Sequence, residues 1–350
     1  MNAEKLARLR ARHPNDAPHR IESQAFQQAG EQAFRSPDER KMPYSDVSTF
    51  LGAPYDPEAR GRGFSGLDVA LVGVPMDLGV TNRSGCRFGP RAVRNVERVG
   101  PFNQGLGITP LAMKRFADIG DVPFRSRFDL AQSHEDIESF FGRLRAAGVV
   151  PLATGGDHSI SGPILKAMGQ GAPVGLVHID AHCDTSGLYE GSRFHHGGPF
   201  RQAVLDGVLD PERTIQIGIR GPAEYLWEFS YESGMTVIHA DRVDQLGIPA
   251  IIAKIRAVVG EQPFYVSFDV DACDPAFTPG TGTPEIGGLT PREVQAILRG
   301  LAGLPVMGGD VVEVAPAYDP TTVTAQVGAN ILFEIASLVA LSPYTPKPQD

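Results

Sequence analysis

The sequence contains little cysteine, no excess of basic residues and no long uninterrupted apolar run. Three cysteines in 350 residues, none in a CxxC pair, exclude a disulfide scaffold and fit a reducing cytoplasm. A formal net charge of -9 argues against nucleic acid or an anionic membrane as the main partner. The first residues lack the apolar segment of a signal peptide, and the longest apolar stretch, 331–341, is short and contains Glu334. These absences predict a cytoplasmic protein that does not span a membrane.

The overall composition is that of a globular protein, with 42% hydrophobic and 21% charged residues. Residues 1–65 are polar, charged and interrupted by proline, and we predict an N-terminal arm there with little regular structure. From residue 66 the pattern changes, and it then stays uniform to about residue 345. This second region is predicted to form one α/β domain rather than two.

Short apolar runs rich in β-branched residues recur along the region 66–345. They are LDVALVGVP, VVPLATGG, PVGLVHID, TIQIGIRG, MTVIHA, PFYVSFDVD and PVMGGDVVEVAP. Continuous rather than alternating apolar runs are typical of parallel strands that are covered on both faces. Helix signals lie between the runs, including predicted capping boxes at Thr290 with Glu293 and at Ser133 with Asp136. The alternation predicts a mostly parallel sheet with helices packed against it.

Polar clusters follow four of these predicted strands. They are GGDHS at 155–159, DAHCD at 180–184, DVD at 269–271, and Glu313. Because ligands of a parallel α/β sheet bind beyond the carboxyl ends of the strands, the four clusters are expected at one edge. The sequence therefore predicts a single polar site there.

The acids in these clusters point to metal ions. In an extended segment Asp180, His182 and Asp184 would share one face, and Asp269 and Asp271 would do the same on another strand. Carboxylates crowded at one edge must either be protonated or hold cations. Taken singly, GGDHS could be a helix-capping turn and DVD an Asx turn. Taken together they would bury unpaired charge at high cost, which favours two divalent ions.

The motifs GGDHS, DAHCDT, SFDVDACDP and GTGTPEIGGLT occur here in the order and spacing of a known family. The sequence resembles the ureohydrolases, which comprise arginases, agmatinases and guanidino-acid hydrolases. The resemblance implies a three-layer, doubly wound, mostly parallel sheet of the arginase–deacetylase type, assembled as trimers or hexamers. It also implies two Mn²⁺ or Ni²⁺ ions that activate a bridging hydroxide, which attacks a guanidinium carbon so that urea leaves.

The same resemblance assigns individual residues. One metal ion would be bound by His158 and Asp184, the other by His182 and Asp271, and both by Asp180 and Asp269. His196 in HHGGPF would carry a proton to the leaving amine, and Glu313 would orient the substrate guanidinium. His195 is expected to be an exposed loop histidine, and Cys183 a small buried residue that faces away from the metals.

Hydrolysis of a guanidinium group requires an activated water, a proton donor for the leaving nitrogen and a group that binds the guanidinium. Guanidinium is a poor electrophile, so water must be activated, and a bound metal lowers the pKa of water to about 7. A histidine titrates in the range needed to protonate the leaving nitrogen. A carboxylate matches the planar N–H fork of guanidinium at two points. Oxygen and imidazole ligands without thiolate suit Mn²⁺, and Ni²⁺ also fits them.

The resemblance is strongest to the agmatinase and guanidino-acid branch, whose substrates include agmatine, 4-guanidinobutyrate and 3-guanidinopropionate. The segment TSGLYEGSRF lacks the amino-acid-binding loop of arginases. The residues predicted to line the pocket are Asn82, Arg83, Tyr189, Trp227 and Tyr231. Of these, Arg83 is the candidate to bind a substrate carboxylate.

Other functions remain open at this stage. The substrate could instead be free guanidine or a substituted biguanide such as metformin. A hetero-oligomer with a paralogue, in which this chain is active only with its partner, is a second alternative. A single-zinc deacetylase of similar architecture is a third, although it would not need both acid clusters together with Glu313.

Overall fold

The computed structural model describes residues 2–16, 21, 23–36, 39–40, 42 and 44–347. Its main element is a sheet of eight strands. Strands β1 Phe34–Ser36 and β2 Glu39–Arg40 form a small separate antiparallel sheet. The eight strands of the large sheet are β3 Val69–Val74, β4 Phe116–Asp121, β5 Val150–Gly155, β6 Val174–Ile179, β7 Leu209–Ile219, β8 Thr236–His239, β9 Phe264–Asp269 and β10 Val306–Val312. The order in the large sheet is β4-β3-β5-β10-β9-β6-β7-β8, and every neighbouring pair is parallel.

Helices cover both faces of this sheet. The helices of the described residues, not all of which pack on the sheet, are α1 Ala3–Arg12, α2 Gln24–Ala33, α3 Gly89–Arg94, α4 Pro110–Met113, α5 Leu130–Ala146, α6 Ser161–Met168, α7 Pro199–Leu205, α8 Glu228–Ser233, α9 Ala240–Leu246, α10 Ile248–Val259, α11 Pro291–Arg299 and α12 Val323–Leu341. Leu71 belongs to the apolar core formed with α10, α11 and α12, whereas the next residue, Val72, belongs to the core formed with α5, α6 and α7. Alternate residues of this strand thus point into two different apolar cores, one on each face of the sheet. The predicted three-layer α/β fold is confirmed.

The seven apolar runs all form strands, and the structure adds an eighth that the sequence did not indicate. This strand, β4 or Phe116–Asp121, lies at the edge of the sheet, and its last two residues are half-buried. Its sequence, FADIGD, is interrupted by glycine and by two acids, Asp118 and Asp121, which both pair with Arg94. The signal for a buried parallel strand is therefore weak there.

Of the two predicted capping boxes, one is confirmed. Thr290 accepts a hydrogen bond from Glu293 N at 3.2 Å, and Glu293 Oε2 accepts one from Thr290 N at 2.8 Å. The box at Ser133 is wrong, because α5 begins at Leu130 and its N-cap is Asp129. Inside that helix the Ser133 hydroxyl donates to the Asp129 carbonyl at 2.8 Å.

The apolar stretch near the C terminus is part of α12, which is longer than the sequence indicated. It has 19 residues and a mean hydropathy of 1.5, so by length and composition it could cross a bilayer. Within this structure, however, 78% of that window is buried, and the helix packs against the sheet. Its one acid, Glu334, is buried, pairs with the half-buried Arg299 and accepts a hydrogen bond from Asn103 Nδ2 at 2.9 Å. This pairing allows a charged residue inside a core helix.

The region 1–65 contains more regular structure than we predicted. Helices α1 and α2 each have ten residues, and α1 has no buried residue. The end of the region packs into the domain, because Phe50 is fully buried and its backbone N–H donates to Asp118 Oδ2 at 3.0 Å. The placement of the boundary between the arm and the catalytic domain at residues 65 and 66 stays a prediction.

Candidate metal centre

The four polar clusters meet at one edge of the sheet, as predicted. Strands β5, β10, β9 and β6 are adjacent in its centre and run in the same direction. Their carboxyl ends are followed by His158, Glu313, Asp271 and Asp180 respectively, all buried. Parallel pairing is the reason that segments more than 150 residues apart in sequence converge here.

The local conformation differs from the extended one that we expected. Strand β6 ends at Ile179, and DAHCD bends away from it, with Asp184 in the left-handed region at φ 53°. Strand β9 ends at Asp269, and Asp271 lies in a short 3-10 helix, Val270–Ala272. The side chains therefore converge through turns rather than through the two-residue period of a strand.

The first cluster of predicted ligands surrounds His158. Its Nδ1 lies 3.0 Å from Asp180 Oδ2, 2.9 Å from Asp184 Oδ2 and 3.3 Å from Asp269 Oδ2. This nitrogen is buried without a hydrogen-bond partner of good geometry. Burial alone would lower the pKa of His158, but the Asp184 carboxylate and its neighbours hold that pKa well above the ordinary value. An orphaned imidazole nitrogen facing three carboxylates is a donor set that fits a divalent ion.

The second cluster surrounds His182, whose side chain is 29% exposed. Its Nδ1 lies 3.1 Å from Asp271 Oδ2 and 3.5 Å from Asp180 Oδ1. Asp180 thus presents one oxygen to each cluster, which is the arrangement a bridging carboxylate needs. For Asp269, Oδ2 faces the first cluster and Oδ1 accepts a hydrogen bond from Asp271 N at 2.8 Å. Its assignment as a second bridge stays a prediction.

The electrostatics also favour bound cations. Burial and the nearby Asp271 carboxylate raise the pKa of Asp269 well above its ordinary value. Burial, with Asp180 next to it, raises the pKa of Asp271 to about 6. These carboxylates repel one another in a buried place, and divalent ions would remove that repulsion. The residues present therefore fit two such ions.

Glu313 and His196 lie beside the predicted metal ligands and contact each other. Glu313 Oε1 lies 2.9 Å from His196 Nδ1 and accepts a hydrogen bond from His158 N at 2.9 Å. Its other oxygen, Oε2, is buried without a partner. Glu313 also has a left-handed backbone, at φ 64°, which is costly for a residue with a Cβ. A strained, half-satisfied carboxylate beside a polar cluster is typical of a site that receives a ligand.

A residue that the sequence did not indicate completes this group. Thr81 N lies 3.1 Å from His196 Nε2, and Thr81 Oγ1 lies 2.6 Å from the same atom. In the neutral imidazole Nε2 accepts from Thr81, and in the imidazolium it donates to the Thr81 hydroxyl. His196 therefore keeps a partner in both protonation states. The only sequence signal for Thr81 was its place in the loop after β3.

The sequence model of the arginase family matches residues 67–337, most of this chain. The chain belongs to the arginase family. The guanidinopropionase of Pseudomonas aeruginosa is 46% identical over 305 residues, which cover 85% of this chain and 93% of that enzyme. The mitochondrial agmatinase of Gallus gallus is 45% identical over 297 residues, covering 83% and 84%. The structure of proclavaminate amidino hydrolase from Streptomyces clavuligerus matches with a TM-score of 0.82 at 37% identity, covering 86% and 100%.

Membership of the arginase family confirms the resemblance seen in the motifs. The chain is a hydrolase of the ureohydrolase class. Two of its histidine and aspartate clusters could hold metal ions, which is consistent with the dinuclear metal site of this family. Which of the six predicted ligands bind which ion stays a prediction.

We expect His196 of this arginase-family chain to titrate near pH 9 when no metal is bound. Burial lowers its pKa, but the Glu313 carboxylate overrides this and raises the pKa to about 9. Because the pKa is raised, the ion pair stabilises the fold fully below pH 6.5 and is lost as pH rises through about 9. NMR of ¹³C-labelled histidine in metal-free protein would measure this, with His196→Asn to assign the signal. An unshifted pKa, or one unchanged in Glu313→Gln, would contradict the pairing.

A cavity of about 180 Å³ opens over the two clusters. Of the residues predicted to line the pocket, Tyr189 and Trp227 do so, together with Leu226. The volume lies below the range of about 300–1,000 Å³ usual for drug-sized ligands, which suits a small substrate. Polar residues that the sequence did not indicate also contribute to the lining; they include Thr81, Thr185, Ser186 and Thr283.

The other pocket predictions are not supported by the structure. Asn82 Nδ2 and Arg83 Nε donate to the Gly282 carbonyl at 3.1 and 3.2 Å, and the Arg83 guanidinium stacks on the Tyr318 ring. Arg83 is therefore a structural loop arginine. The hydroxyl of Tyr231 contacts His239 Nε2 at 2.6 Å, and neither residue is in the cavity wall.

His195 and Cys183, which neighbour predicted site residues in the sequence, are both buried. The expectation of an exposed His195 is wrong: its residue exposure is 4%, because Nε2 bonds the Gly187 carbonyl at 2.7 Å inside its own loop. Cys183 is buried, as expected, and burial raises its pKa to about 12. It nevertheless lies against the cavity rather than facing away from it, because the DAHCD segment is bent.

Proposed function

We propose that this chain is a dinuclear-metal amidinohydrolase that releases urea and an amine from a small guanidino compound. The observation that supports this most directly is Asp180, whose two oxygens face His158 and His182 separately. A carboxylate shared between two imidazole-containing clusters is the arrangement required to hold two ions close together.

The metals would be held by the two clusters described above. His158 and Asp184 would bind one ion, His182 and Asp271 would bind the other, and Asp180 and Asp269 would be shared by both. When bound, two divalent ions supply an activated water at neutral pH. Oxygen and imidazole donors suit Mn²⁺, and Ni²⁺ is the alternative that we retain.

Glu313 would orient the substrate. Its Oε1 is already engaged by His158 N and His196, so Oε2 is the atom available to accept a guanidinium N–H. Accepting a charged N–H would also satisfy a buried oxygen that is otherwise without a partner. This contact holds the guanidinium carbon in a fixed position relative to the metal ligands.

His196 would supply the proton that the leaving amine needs. It lines the cavity, and its Nδ1 contacts the Glu313 carboxylate, which favours the protonated imidazole. After transfer from Nε2, that atom can accept a hydrogen bond from Thr81, so the neutral form is also stabilised. Protonation at this point is required because an unprotonated amine anion is a poor leaving group.

For the substrate we propose agmatine, 4-guanidinobutyrate or 3-guanidinopropionate. The named relatives support this class, and the cavity walls Tyr189, Leu226 and Trp227 can contact a short methylene chain.

We also propose a cytoplasmic location and a homotrimer or homohexamer, although the Gallus gallus relative is mitochondrial. The three cysteines are free and buried, which suits a reducing compartment.

An assay of urea release would test the function. The protein should be loaded separately with Mn²⁺ and Ni²⁺ and given agmatine, 4-guanidinobutyrate, 3-guanidinopropionate, arginine, guanidine and dimethylbiguanide. We expect strong turnover of one of the first three compounds. Turnover of only guanidine or the biguanide would replace the proposed substrate class with that compound. No urea from any compound and no bound metal would favour a subunit that needs a paralogous partner.

A further inference from the structure

Two buried polar side chains beneath the metal site have no part in the reaction described above. His178 on β6 and Gln216 on β7 are both fully buried, and they are directly paired in the register of the two strands. Buried polar groups are costly unless they are hydrogen-bonded. Both side chains make hydrogen bonds through their nitrogens, whereas Gln216 Oε1 has no partner. The hydrogen-bond partners of His178 and Gln216 therefore indicate the role of the two side chains.

The Gln216 amide determines the tautomer of His178. Gln216 Nε2 lies 2.6 Å from the Cys183 carbonyl oxygen, which can only accept, so the amide nitrogen must face it. The same nitrogen lies 3.1 Å from His178 Nδ1, and its second hydrogen is donated there. Since Nδ1 accepts, the proton of the neutral imidazole is on Nε2.

That proton is donated to the metal site. His178 Nε2 lies 2.8 Å from Asp180 Oδ2, the oxygen that also faces His158 Nδ1 at 3.0 Å. His178 sits close enough to His158, Asp180 and Asp184 to be taken for a further ligand of the first ion. With its proton on Nε2, however, it has no lone pair there to offer a metal.

We propose that His178 and Gln216 form a positioning pair that orients the shared carboxylate Asp180 and the turn that carries the other ligands. His178 fixes the rotation of the carboxylate, while Gln216 fixes His178. Gln216 also holds the Cys183 carbonyl, between ligands His182 and Asp184. This inference rests on the proposed dinuclear function, since it concerns the geometry of that metal site.

Metal affinity and metal stoichiometry test the pair independently of activity. Chelator competition with Mn²⁺ would give the dissociation constants, and elemental analysis the ions per chain at saturation. We expect Gln216→Met and His178→Phe to bind Mn²⁺ about 10–100-fold more weakly, while still holding two ions at saturation. His178→Gln should recover part of the affinity, because its amide N–H can reach towards Asp180.

Thr214→Val is the matched control. Thr214 is fully buried on the same strand as Gln216, two residues earlier, and its hydroxyl donates to the Asp210 carbonyl at 2.8 Å, outside the metal site. Its loss should lower the melting temperature without changing Mn²⁺ affinity. If Gln216→Met does not fold, the comparison of His178→Phe with His178→Gln still decides the question.

The outcomes separate this inference from the proposed function. Two ions bound with unchanged affinity in Gln216→Met and His178→Phe would overturn the positioning pair alone. Loss of one ion per chain in both His178 variants, with Gln216→Met unaffected, would make His178 a ligand and overturn it as well. A wild-type chain that binds no divalent ion would overturn the proposed function and this inference together.

Discussion

Replacing Asp180 by asparagine should remove both metal ions and nearly all urea release while leaving the fold intact. Asp180 is the residue whose two oxygens face both His158 and His182. An amide has the same shape but only one oxygen and no charge, so it cannot serve both ions. Changes to residues behind the ligands already cost about 10–100-fold, and we expect a larger loss here.

The measurement is the metal content per chain together with the rate of urea release and the melting temperature. Asp118→Asn is a suitable control, because Asp118 is a buried aspartate of the same sheet that pairs with Arg94 at 2.8 Å, away from the site. It should lose stability but keep both ions. Full activity of Asp180→Asn would remove its assignment as the bridging ligand.

Replacing His196 by alanine should lower turnover by a factor of about 10² to 10⁴ and leave metal binding unchanged. His196 contacts Glu313 and Thr81 rather than any predicted ligand side chain. Removing it takes away the proton donor for the leaving amine but no donor atom for a metal. Turnover and metal content measured on the same preparation would check both halves of this expectation.

His195→Ala is the matched control for His196→Ala. His195 is the adjacent residue and also lines the cavity, but its Nε2 is bonded to the Gly187 carbonyl. We therefore expect a change in turnover of less than about tenfold, since no proton transfer is lost. If His195→Ala were the slower variant, or if His196→Ala kept wild-type turnover, the proton would have to come from another group.

Much of the fold follows from local patterns in the sequence. The continuous apolar runs predicted seven strands because a parallel strand is buried on both faces along its whole length. The eighth, β4, was missed because Asp118 and Gly120 interrupt its apolar run. Asp118 is buried in an ion pair with Arg94, a contact that the local sequence does not show. The N-cap at Asp129 was missed because Ser133 and Asp136 offered the same side-chain chemistry four to seven residues later.

The ligand types could be predicted, but the geometry that unites them could not. Asp180, His182 and Asp184 were expected to converge through an extended strand, and they converge through a bend instead. The sequence could not show this bend because a left-handed aspartate is held by contacts made elsewhere, including the Gln216 bond to the Cys183 carbonyl. Residues that act through other residues, such as His178, carry no motif of their own.

By itself the sequence determined the three-layer α/β fold, the family and the residue types at the strand ends. These depend on hydrophobic periodicity and on short-range motifs, which a chain displays in linear form. Only the tertiary structure decided that Asp180 faces two histidines, that Thr81 contacts His196, and that the Arg83 guanidinium stacks on the Tyr318 ring. Those facts depend on distances between side chains from different strands and loops, and folding alone brings such atoms within a few ångströms of one another.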